Sequence, residues 1–66
     1  DRILYHSIGI VLAVTQTTVQ FSSVDGQTFL LKRNLFTEDV KVNNLVEYTF
    51  VERPTGEKVH RVNVLH

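Results

Sequence analysis

The chain has 66 residues and contains no cysteine, methionine or tryptophan, a length that holds one small domain and nothing larger. With 42% hydrophobic and 21% charged residues it has a globular composition, which excludes a disordered tail. Seven basic residues balance seven acidic ones, which argues against a free-standing nucleic-acid binder, and the lack of cysteine excludes a disulfide framework or a thiolate zinc site.

The chain opens on Asp1-Arg2, which is neither a start methionine nor a signal peptide. It therefore reads as a piece of a longer, multidomain protein, with an intracellular, cytoplasmic setting expected. No apolar run approaches the roughly 20 residues of a membrane span. Val, Ile, Thr, Phe and Tyr then recur in short runs, the pattern of strands. The first strand is predicted over residues 8–15 and the second over 18–24. Asp25-Gly26 suits a two-residue type I′ turn, which predicts a hairpin from 18–24 onto 27–32. Residues 33–39 break the pattern and predict a loop with at most one short helical turn. Val46, Tyr48 and Phe50 alternate with Glu47 and Thr49, a strand with one buried face. Arg53-Pro54-Thr55-Gly56 predicts a turn, and residues 59–65 a fifth strand. Five strands without a convincing amphipathic helix predict an all-β fold, a small closed barrel of OB or SH3 type.

Several segments carry a resemblance. Gly9-Ile10-Val11 is similar to the opening of cold-shock domains. Phe21-Ser22-Ser23-Val24-Asp25-Gly26-Gln27 resembles the end of their second strand and its hairpin. Thr28-Phe29-Leu30-Leu31 stands where their third-strand motif would be, and Val40 to Tyr48 is similar to the segment that follows, with Asn43 in place of a glycine. Val62-Asn63-Val64 resembles the closing stretch. The likeness spans residues 9–64 and implies a five-stranded antiparallel OB-type barrel.

Regular members of that family stack single-stranded bases on outward aromatic rings, with lysines nearby. Here Ala13 takes the first-strand tryptophan position, and Ile10 and Leu12 take the lysine positions. Val19 replaces a second-strand aromatic, and Leu31 and Lys32 replace a histidine and an aromatic on the third. Each lost platform forfeits about 1–3 kcal/mol per base. The chain thus resembles the aromatic-poor, non-standard cold-shock domains that alternate with regular ones in multidomain RNA regulators of the Upstream-of-N-Ras type.

Two arguments conflict over Phe21 and Phe29. The resemblance turns both outward as base platforms, whereas alternation along residues 19–22 puts Val19 and Phe21 on one apolar, core-facing side. Lys32, Arg33, Lys58 and Arg61 are candidate phosphate contacts, which position nucleic acid without reading its sequence. Lys41 could contact phosphate in the same way, and all these cations are interleaved with acids. By the resemblance, Ile10, Leu12, Phe21, Phe29 and Leu31 share an outward face. Ile10, Leu12 and Leu31 are the expected inter-domain or protein interface, because an exposed aliphatic patch usually marks one.

No catalytic or metal-binding residue is expected. His6, His60 and His66 are too few and too dispersed for a zinc site. Glu38-Asp39 are adjacent without facing, and Ser7, Ser22 and Ser23 lack a nucleophile-elbow context. No cofactor motif is present, and no enzyme is expected. The implied function is a non-standard cold-shock module of an RNA-binding regulator of translation or mRNA stability. It would bind single strands weakly or not at all, and would orient neighbouring domains to help recognise structured RNA. The alternative is an SH3-like or OB-like module that binds protein only.

Overall fold

Alternation along the second predicted strand sets the layout. In the computed structural model, which describes residues 1–65, Val19, Phe21 and Ser23 are buried while Gln20 and Ser22 face away from the core. The strands are β1 (Arg2–Val14), β2 (Thr18–Ser23), β3 (Thr28–Lys32), β4 (Leu45–Glu52) and β5 (Lys58–Leu65). A single 3₁₀ turn, Arg33–Leu35, follows β3, as the broken pattern there predicts. No helix is long and apolar enough to cross a membrane among the described residues.

All pairings are antiparallel, in the order β3-β2-β1-β4-β5. Three hairpin-connected strands followed by a fourth that returns beside the first make a Greek key. The curled five-stranded sheet is consistent with the small β-barrel expected from the sequence. The ladder leaves β3 and β5 as edges, and the sheet curls as a half-barrel around one core. Val11, Val19, Phe21, Val46, Tyr48 and Val64 supply that core from four strands, and Phe36 and Val40 plug it from the long β3–β4 connection.

β1 begins at Arg2, six residues before the predicted start, because its N-terminal half pairs with the far end of β4. Residues 2–7 show no clean alternation. A bulge between Ile3 and Tyr5 resets the phase so that Tyr5 turns inward. A second register shift, between Val11 and Ala13, leaves Leu12 as the extra residue against β2. At that point Val11 exchanges both backbone hydrogen bonds with the loop ahead of β4, donating to Asn44 O (2.9 Å) and accepting from Asn43 N (2.8 Å). Asn43 reaches this position with φ of 75°, a conformation asparagine tolerates better than most residues.

The β2–β3 and β4–β5 turns differ from a type I′ geometry in the same way. Gly26 N donates to Ser23 O and Ser23 N to Gln27 O, closing a three-residue loop in which only Gly26 has positive φ (89°). That is a type I turn followed by a left-handed glycine. Arg53, Pro54, Thr55 and Gly56 repeat it between β4 and β5.

Candidate functional site

The cross-strand pairing separates the expected interface into two faces. Ile10 sits opposite Ser22 and Val11 opposite Phe21, while Phe21 in turn faces Phe29 and Val19 faces Leu31. Phe21 therefore lies in the core with 0% exposure, and the base-platform role expected for it is corrected: a ring without accessible surface cannot stack a base. Phe29 and Leu31 also turn inward, half-buried at the edge strand and packed on the core. Phe29 stacks on Phe21 with centroids 5.3 Å apart, so its ring is committed to its neighbour. The interface role expected for Leu31 is corrected likewise, since it does not share the face of Ile10 and Leu12. The resemblance puts Ile10 and Phe21 on one side. In the structure Val19 and Phe21 are buried while Gln20 and Ser22 face away from the core, so β2 turns inward the side that the resemblance turns outward.

Ile10 and Leu12 do face outward, 40% and 47% exposed. The neighbours that join them were missed in the sequence. Ile8 lies one pleat away on β1, and Leu45 on β4 is the cross-strand partner of Ile10 and is 51% exposed. Leu65 stands opposite Leu45, so an aliphatic row crosses three strands. Leu30, 66% exposed, adds an aliphatic group on the outer side of β3. Leu45 was legible, being out of phase with Val46, Tyr48 and Phe50. Ile8 was not, because β1 is apolar on both faces.

Comparison with protein-family profiles and with curated proteins finds no match to this chain.

The four candidate cations divide between β5 and the end of β3 with the 3₁₀ turn that follows it. Lys58 and Arg61 lie on β5, and Arg61 is held by Asp1 at 3.0 Å. Lys32 ends β3 and Arg33 begins the 3₁₀ turn, and among the described residues neither forms an ion pair. These two line a cleft with Gln16, Thr17, Thr18 and Asn34. A second cleft combines Arg2 and Arg53 with Asp1 and Glu52, so its charges offset one another.

Several polar side chains elsewhere are tied into the fold. Ser23 Oγ and Tyr5 OH both donate to the Asp25 carboxylate, and these bonds hold its pKa below the ordinary aspartate value. His6 Nε2 and Glu47 Oε2 pair at 3.1 Å across the outer face. Tyr48 OH and His60 Nδ1 share a 2.6 Å hydrogen bond, and the His60 ring stacks on Phe50. Burial, with a smaller contribution from Tyr5, raises the Tyr48 pKa. No group of three histidine or acidic side chains is gathered in metal-binding geometry among the described residues, and His66 lies outside them.

Proposed function

We propose that this chain is a binding module, not an enzyme: a non-standard, OB-type domain of the cold-shock class. It docks a neighbouring domain through the outer face of β1 and β4, within a cytoplasmic RNA-binding regulator of translation or mRNA stability. The observation that carries the docking role is the exposed aliphatic row of Ile8, Ile10, Leu12 and Leu45. A contiguous apolar patch marks an interface on a soluble domain. That row has no aromatic ring on it, and Phe21 and Phe29 face the other way, so base stacking has no platform there. The Greek-key order, with a short helical turn between β3 and β4, supports the OB-type reading. The RNA-regulator setting rests on the sequence resemblance.

The zero net charge favours a second reading, a module that binds protein only. Salt separates the two, since phosphate contacts weaken steeply with ionic strength whereas an apolar contact does not. The test replaces Ile10 and Leu12 with serine, in the 66-residue chain and in the longer protein. The short chain should keep its strand signal by circular dichroism, while the longer protein loses inter-domain protection from proteolysis and binds structured RNA more weakly. Unchanged protection overturns the docking role. Lost protection with no RNA binding by the wild-type protein supports the protein-only module.

A further inference from the structure

We propose that the cleft between the β1–β2 turn and the start of the 3₁₀ turn is a phosphate site for an RNA backbone, with Lys32 and Arg33 as its cations. The inference rests on the RNA-binding reading and assigns a site to it that lies apart from the outward aliphatic row. The cleft offers about 450 Å³ and is lined by Gln16, Thr17, Thr18, Lys32, Arg33 and Asn34. Two positive charges stand there among four neutral hydrogen-bonding side chains, with no carboxylate in the lining. Asn34 and Gln16 present amide donors, Thr17 and Thr18 hydroxyl donors, and the two cations supply charge. A phosphate oxyanion accepts from amide, hydroxyl and cationic N–H donors alike, although the Thr18 hydroxyl is shared with Thr15 Oγ1.

The cleft is also preorganised. Lys32 is the cross-strand partner of Thr18, and Arg33 N donates to Thr17 O at 2.9 Å, which ties β3's end to the β1–β2 turn. Arg33 Nη1 donates to Thr15 O at 3.4 Å, which draws the guanidinium to the turn and leaves its other N–H groups to a ligand. The turn is braced from within. Thr15 Oγ1 accepts from Thr17 N and Thr18 N and lies 2.7 Å from Thr18 Oγ1. No aromatic ring lines the cleft, so it offers a backbone phosphate charge and donors but gives a base no stacking platform. The cleft beside Asp1, Arg2, Glu52 and Arg53, with acids next to its arginines, lacks this complementarity.

The test follows backbone amide signals of the 66-residue chain by NMR at low salt, first with inorganic phosphate and then with a short oligouridylate. Saturable shifts confined to residues 16–18 and 32–34 are expected with both, tighter for the oligonucleotide. Lys32→Ala with Arg33→Ala should weaken oligonucleotide binding at least tenfold. The exposed-residue variant Lys32→Ala alone, which removes no hydrogen bond of the fold, should weaken it severalfold and lower the salt slope by about 0.7. Shifts scattered over the surface, or unchanged affinity in Lys32→Ala, overturn the site. Saturation by phosphate without tighter oligonucleotide binding overturns RNA backbone as the ligand in favour of a free phosphate. Ile10→Ser and Leu12→Ser should leave these shifts intact, so failure of the docking face and failure of the cleft are read separately.

Discussion

Val11 stands directly opposite Phe21 across the β1–β2 ladder, and both side chains are wholly buried. The pair sets the inward side of the first three strands. Once Phe21 is inside, Val19, Phe29 and Leu31 follow by strand pairing, and Ile10 and Leu12 remain outside. A one-residue slip would reverse every one of these placements.

Truncating that ring should be far more costly than truncating the outward leucine. Phe21→Ala should destabilise by about 3–5 kcal/mol, as large core truncations do. Leu12→Ser should change stability by about 0.5 kcal/mol or less. A domain this small has on the order of 3–10 kcal/mol in total, so the first variant should be substantially unfolded in a urea melt. Equal effects of the two substitutions would refute the assignment of faces.

Gly9 is required by the close approach of β1 to β2. A β-carbon there would lie 2.5 Å from the Ser22 carbonyl oxygen, so the strands must part to admit it. Gly9→Ala should cost about 1–3 kcal/mol, the range for overpacking, read as a lowered thermal midpoint. Gly26→Ala meets no atom and is penalised only by its φ of 89°. Its cost should be about 1–2 kcal/mol, from the left-handed conformation alone.

Asp25 should make the hairpin acid-sensitive. Hydrogen bonds from Ser23 and then Tyr5 lower its pKa in the folded state. Its contribution to stability is therefore complete above the unfolded value of about 4 and is lost as pH falls through the lower folded value. Thermal midpoints measured from neutral pH down through that window should fall more steeply for the wild type than for Asp25→Asn. Parallel curves would show that the carboxylate does not couple to folding.

Tyr48 works in the opposite direction. Its raised pKa means that the unfolded chain ionises first, so stability is full below about 10 and is lost as pH rises through the folded value. Ultraviolet titration of the folded chain should show one phenol ionising above the ordinary tyrosine range. Tyr48→Phe should remove that phase and, by breaking the bond to His60, cost about 0.5–1.5 kcal/mol.

At physiological salt, near 0.15 M, the 66-residue chain should bind a labelled oligopyrimidine no more tightly than about 10⁻⁴ M, the weak end of non-specific affinity. Fluorescence anisotropy measures this directly. Micromolar affinity would mean that bases stack somewhere on the molecule despite the inward rings.

Local chemistry made much of this fold readable. Branched residues bounded by Asp25-Gly26 and Pro54-Thr55-Gly56 specify strands and turns, because those preferences act within a few residues. Alternation at Val19 to Ser22 and at Val46 to Phe50 likewise specifies which side is buried. Tertiary structure decided what short-range preference leaves degenerate. β1 is apolar on both faces, so only its pairing with Ser22, Phe21 and Leu45 turns Ile8, Ile10 and Leu12 outward. Its extension to Arg2 depends on β4, more than 40 residues away in the chain. The cleft gathers Gln16, Thr17 and Thr18 with Lys32, Arg33 and Asn34 because β2 and β3 fold back in register. Side chains that meet across a ladder leave no trace in spacing along the chain, and register is set by the burial of the whole sheet at once.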